Sequence, residues 1–158
     1  MKYPYAGTEV SPEKTQVQII TLLKSYGIEA QLTTPRPNNQ DQTTIDFIHR
    51  VKVAGIEKQI MFHFKTPVLN KTVKQYNPKT YRTETMTVND EPAAWRLLYW
   101  YIKLKLRAIQ WNLATYEQEF MSRIAAQLED GRMVTLGEGL EKMLANGTLE
   151  HLALAQKG

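Results

Sequence analysis

The chain contains no cysteine. Disulfides, thiolate zinc centres and cysteine nucleophiles are therefore excluded, and the composition fits a reducing compartment. Long apolar runs are missing as well: nothing approaches the ~18 residues of a membrane-spanning helix. The opening MKYPYAGTEV has no apolar stretch of the secretory kind. The expectation is a protein that avoids membranes and works in the cytoplasm. Phosphate-cradling glycine loops of the types GxxxxGKS/T and GxGxxG are absent, as is the GxSxG nucleophile elbow. Gly137-Glu138-Gly139 lacks the third glycine and sits in a helix-start pattern, and no histidine stands near Ser11, Ser25 or Ser122. Internal repeats and low-complexity segments are also lacking.

Histidine is scarce, with only His49, His63 and His151. His49 and His63 fall on neighbouring strand patterns with Asp46 close by, a set that would suit a divalent metal. Asp46 and His49 are three apart, however, which puts them on opposite faces of a strand. Cross-strand packing or solvent exposure is the expected role, and neither metal nor other cofactor is expected. The order helix, three strands, helix resembles the core of restriction-type nucleases. Their metal sites need an acid and, on the next strand, an acid-x-lysine pair. Here Glu57 and Lys58 are adjacent, so the motif fails and no catalytic residue is assigned.

What is present is an ordinary globular composition over 158 residues, 42% hydrophobic and 23% charged. That length favours one domain with a real core. The net charge of +4 is unevenly placed. Residues 1–57 balance six basic against six acidic side chains; residues 58–107 hold ten basic and three acidic; residues 108–158 hold four basic and seven acidic. All of the excess lies in the middle third, and a localised positive field favours phosphate-bearing or acidic partners.

The expected elements begin with a helix over 11–26. Ser11 caps it, Pro12 suits the first helical position, and Val17, Ile20, Leu23 and Tyr26 form its apolar stripe before Gly27 ends it. Strands are expected at Ile28–Leu32, Thr43–Val53 and Lys58–Lys65. In the second, Ile45, Phe47, His49 and Val51 share a face; in the third, Ile60, Phe62 and Phe64 do. PRPNNQDQ (35–42) is a loop, and Ala54-Gly55 a tight hairpin. Residues 65–85, KTPVLNKTVKQYNPKTYRTET, are expected as a basic loop, followed by an edge strand over 83–88. A second helix starts at Asn89-Asp90-Glu91-Pro92, with Trp95, Leu98, Ile102, Leu106, Ile109 and Leu113 facing the core. Thr115-Tyr116-Glu117-Gln118 has capping-box form and opens a third helix lined by Phe120, Ile124 and Leu128. Asp130-Gly131 is a turn, and Thr135–Glu138 opens a short helix closed by Asn146-Gly147. The expected class is α+β: an antiparallel sheet of three to four strands (28–88), with an N-terminal helix and a C-terminal helical half (90–158) packed mainly on one face.

Several of these segments carry a resemblance to a family of small uncharacterised proteins from tailed-phage and prophage genomes. They are Glu13-Lys14, Tyr26-Gly27, Ala94-Trp95-Arg96, Lys103-Leu104-Lys105-Leu106, the group Thr115, Glu117 and Glu119-Phe120, Asp130-Gly131-Arg132 and Leu136-Gly137-Glu138. The resemblance implies a viral gene product in a host cytoplasm. It brings no catalytic residue.

The residues that point to function lie in the basic middle third. Lys65, Lys71, Lys74, Lys79 and Arg82 can exchange counterions for phosphates. Tyr76 and Tyr81, set among them, can stack on unpaired bases. On the second helix, Arg96, Lys103 and Arg107 are seven and four apart and so share a face. The expected partner is nucleic acid, single-stranded in preference to duplex. The alternative is a protein-interaction or assembly role: a viral structural component or an inhibitor of a host enzyme, with 65–85 as an oligomerisation arm. The broad aromatic surface of the 91–113 helix then mediates homo-oligomerisation.

Overall fold

The computed structural model describes residues 3–33, 44–53, 55–127 and 133–145. The expectations for 35–42, Ala54, Leu128, Asp130-Gly131, Asn146-Gly147 and His151 lie outside those residues.

The first helix, α1 (Pro12–Ser25), begins as its sequence dictates. The Ser11 hydroxyl accepts from the Lys14 amide at 3.3 Å and Glu13 occupies the first turn. At its other end Gly27 takes φ +75°. That turn lets the Gly27 amide reach the Lys24 carbonyl and the Ile28 amide the Leu23 carbonyl, which closes the helix in a Schellman arrangement.

Strands β1 (Glu29–Thr33), β2 (Thr44–Val53) and β3 (Ile56–Lys65) form one antiparallel sheet in that order. Gly55, at φ +80°, turns β2 into β3. Register pairs Ile45 with Phe64 and Phe47 with Phe62, so the apolar residues of both strands share one face. The helix α2 (Glu91–Gln110) lays Trp95, Leu98, Ile102 and Leu106 on that face, beside Ile19 and Leu23 of α1. Phe120 closes the core from α3 (Tyr116–Phe120). Phe47 is its centre, with the rings of Phe62 and Phe64 each 5.2 Å away and Phe120 edge-on at 5.7 Å. The α+β class and the one-sided placement of the helices agree with expectation.

Four expectations change. Residues 65–85 do not form a loop. They contain β4 (Asn70–Asn77) and the start of β5 (Arg82–Asn89), an antiparallel hairpin that forms its own two-stranded sheet. The strand expected at 83–88 therefore exists, but it pairs with β4 and adds no edge to the main sheet. The stripe on α2 stops before Leu113, because the helix ends at Gln110 and Asn112 turns left-handed at φ +57°. Leu113 is exposed. Finally, the helix opened by Thr115 ends at Phe120. Its capping box forms as expected, but a 3-10 turn (Met121–Arg123) follows, and Ile124 bridges to Phe62 instead of continuing a helix. This bridge sets the short hairpin β6 (Ala125–Gln127) and β7 (Met133–Thr135) beside β3. The last helix, α4 (Leu136–Ala145), opens on the expected box: Glu138 accepts from the Thr135 amide at 2.8 Å, and the Thr135 hydroxyl accepts from the Glu138 amide. No helix among the described residues is long and apolar enough to cross a membrane.

Candidate nucleic-acid interface

Eight-residue strands make the β4–β5 hairpin about 25 Å long. Among the described residues it packs substantially on itself alone, and most of its side chains are exposed. The register sorts its chemistry. Thr72 faces Thr87, Lys74 faces Thr85, and Tyr76 faces Thr83 on one side of the ribbon. The other side carries Lys71 with Val88, Val73 with Met86, Gln75 with Glu84, and Asn77 with Arg82. Lys79 and Tyr81 lie in the turn between the strands.

The tip is tied together by polar side chains. The Lys79 amide donates to Asn77 Oδ1 at 3.0 Å. Glu84 accepts from Asn77 Nδ2 at 3.0 Å and from the Thr80 hydroxyl at 2.8 Å. Those donors, Asn77 first, hold the Glu84 carboxyl below its ordinary value. Tyr81 takes φ +51° to close the turn, and the residue is 81% exposed. A tyrosine is strained there by about 1–2 kcal/mol; what the turn gains is an aromatic ring standing in solvent.

The base is anchored differently. Asp90, buried where β5 meets α2, accepts from the Tyr3 hydroxyl at 2.7 Å and from Lys71 Nζ at 3.1 Å. Its amide donates to the Leu69 carbonyl at 2.6 Å. Burial pushes the Asp90 carboxyl up, but Tyr3, Lys71 and the Ala93 amide outweigh it and the net shift is downward. The same contact pushes the Tyr3 phenol up to about 12.

Of the expected contact residues, Lys65 and Lys71 are neutralised: Lys65 Nζ meets Glu138 at 2.6 Å, and Lys71 meets Asp90. Lys74, Lys79 and Arg82 have no carboxylate for their charged groups among the described residues. Together with Tyr76 and Tyr81 they occupy the outer half of the hairpin. Arg96, Lys103 and Arg107 form a second set on α2. Arg96 donates to Gln18 at 2.6 Å and lies over the Tyr99 ring; Lys103 sits 4.7 Å from the Trp100 ring centre; Arg107 donates to Gln110 at 3.3 Å. These three share the outward face of α2 with the exposed Trp100 and Leu104, and the exposed Trp111 follows at the helix's end. No ion pair or hydrogen bond joins the two sets among the described residues. The sequence places Thr83, Thr85 and Thr87 on an expected strand, and the register with β4 sets them in a row beside Lys74 and Tyr76.

The two described histidines go to opposite faces of the sheet. His63 lies directly across from Asp46, with Nδ1 2.5 Å from the carboxylate. His49 stacks on Tyr116 at 4.2 Å, and its buried Nδ1 has no hydrogen-bond partner among the described residues. No cluster suited to a metal ion occurs among the described residues. Burial pushes the His49 pKa below 6.5, and Glu117 opposes this only in part. The unfolded chain therefore takes up the proton first. His49 supports the fold in its neutral form above about pH 6.5, and that support is lost as pH falls through its folded value. Urea midpoints are expected to fall from about pH 7 to about pH 5, and to fall less in His49→Phe. Equal slopes in the two proteins would assign the pH dependence elsewhere.

No protein-family model, curated protein or solved structure matches the chain.

Proposed function

We propose that this is a non-catalytic nucleic-acid-binding protein that uses the β4–β5 hairpin as its contact arm, with single strands bound in preference to duplex. The supporting observation is the outer half of the arm, where Lys74, Lys79 and Arg82 lack carboxylates among the described residues: Lys74 shares a face with the exposed Tyr76, Arg82 lies on the opposite face, and Lys79 and the exposed Tyr81 lie in the turn between the strands. Cations without internal partners are free to displace counterions from phosphates. Exposed tyrosine rings offer faces to unstacked bases. The phage resemblance gives this reading a setting, a viral product acting on nucleic acid in a host cytoplasm.

Fluorescence anisotropy with labelled single-stranded and duplex oligonucleotides tests it. Binding is expected at ~50 mM salt, and three phosphate contacts on a single strand imply a log–log salt slope of about −2. Absence of binding to any DNA or RNA at that salt rejects the reading.

The alternative, a protein-interaction or assembly protein, draws on the exposed Trp100 and Leu104 of α2 and Trp111 just after it. Self-association through that face predicts a concentration-dependent dimer in light scattering that Trp100→Ser with Trp111→Ser dissolves. A monomer at all concentrations removes the self-association form of this alternative.

A further inference from the structure

A cleft of about 490 Å³ opens between the end of β3 and the side of α2. Phe64 and Leu98, both buried, lie at its floor; Pro67, Leu97 and Tyr101 line its walls. Its volume falls in the range of small-molecule sites. Two cations border it. Lys65 is held by Glu138 at 2.6 Å. Among the described residues Arg123 is held by no carboxylate and has no hydrogen-bond acceptor, and its buried Nε finds no partner there. Instead, the guanidinium carbon sits 5.5 Å from the Phe64 ring centre and 5.8 Å from that of Tyr101.

This placement has a chemical consequence. A guanidinium resting on aromatic rings is fixed in orientation, while its in-plane donors stay available to an oxyanion. A half-buried guanidinium without an acceptor is costly to keep. An apolar cleft with one unneutralised, oriented fork matches one class of ligand. We propose that the cleft binds a small organic anion, an aromatic or compact apolar body carrying a carboxylate or phosphate, with the body against Phe64, Leu98 and Tyr101 and the oxyanion on Arg123. The site is independent of the hairpin, and the proposal does not depend on the nucleic-acid reading.

The test uses the full chain, with phenylacetate, phenyl phosphate and neutral benzyl alcohol as probes, followed by amide NMR shifts. Probes of this size are expected to bind with Kd near about 1 mM. At least one of the two anions should saturate, with the largest shifts at Phe64, Thr66, Leu97 and Tyr101. The relative affinity of the two anions identifies the headgroup. Benzyl alcohol should bind at least about tenfold more weakly, and Arg123→Met should weaken the anion by a similar factor. If Arg123→Met does not fold, the anion-to-alcohol ratio and the shift map in the unaltered chain decide alone. Failure of both anions to saturate by about 10 mM, shifts centred elsewhere, or equal affinity for anion and alcohol would each overturn the proposal.

Discussion

Phe47→Ala is expected to remove about 3–5 kcal/mol of stability. Phe47 is fully buried in the central strand of the three-stranded sheet, and its ring touches Phe62, Phe64 and Phe120. The first two neighbours come from β3 and the third from α3, so one side chain joins the sheet to the element that covers it. Truncation loses the transfer energy of the ring and leaves a void that three other rigid rings refill poorly. A chain of this size commonly has only about 5–15 kcal/mol in total, so the variant is expected near the edge of unfolding. Urea denaturation followed by circular dichroism measures it, with a lower midpoint at unchanged slope. A loss under about 1 kcal/mol would mean that the aromatic cluster is not the centre of the core.

The second large effect concerns binding rather than stability. Replacing Lys74, Lys79 and Arg82 together by glutamine removes the three hairpin cations that lack carboxylates among the described residues. On a single strand, three phosphate contacts contribute about 2 to the magnitude of the salt slope. Between 1 M and 50 mM salt this corresponds to roughly 10²–10³-fold in affinity. The triple variant should lose that factor at ~50 mM salt and flatten the slope accordingly. Its unfolding free energy from urea denaturation should not change by more than about 0.5 kcal/mol, because the three residues are exposed. Tyr76→Ala and Tyr81→Ala should each cost a further 1–3 kcal/mol, roughly 5- to 150-fold, with the salt slope kept. Charge and stacking are thereby separable. If the triple variant binds with unchanged affinity and slope, the hairpin is not the contact surface. Lys103→Gln with Arg107→Gln then examines the outward face of α2 by the same measurement.

Local chemistry made much of the architecture legible. Ser11-Pro12-Glu13 and Gly27 bracket a helix because capping, proline geometry and a left-handed turn act within a few residues. The alternation of Ile45 and Phe47, and of Ile60, Phe62 and Phe64, is visible because one face of each strand is buried and the other is not. Of the hairpin only the second strand was expected, over 83–88, and its pairing with a first strand was not, for the complementary reason. Both of its faces meet solvent, so no apolar alternation marks it, and its lysines and asparagines resemble a loop. The premature end of the helix after Phe120 was hidden as well. Ile124 keeps helical spacing from Phe120, but its pairing with Phe62 is non-local and outcompetes one more turn of helix.

The candidate site divides along the same line. A basic, tyrosine-bearing middle third is a property of composition, read directly from the chain. Which cations stay free is not. Lys65 and Lys71 look no different in sequence from Lys74, yet they meet Glu138 and Asp90, which lie 73 and 19 residues away. Arg123 gave no signal at all, since its distinguishing feature is two rings brought from β3 and α2. The amino-acid order by itself therefore determined where the helices start, the buried strands and the class of fold, through capping and alternation between near neighbours in the chain, and, through composition alone, the total charge of the central region. Only the tertiary structure decided that this region is a projecting ribbon, which charges within it are neutralised, and where the Arg123 guanidinium meets an apolar cleft. Ion pairing and enclosure depend on distances between groups far apart in sequence, and those distances exist only once the chain has packed.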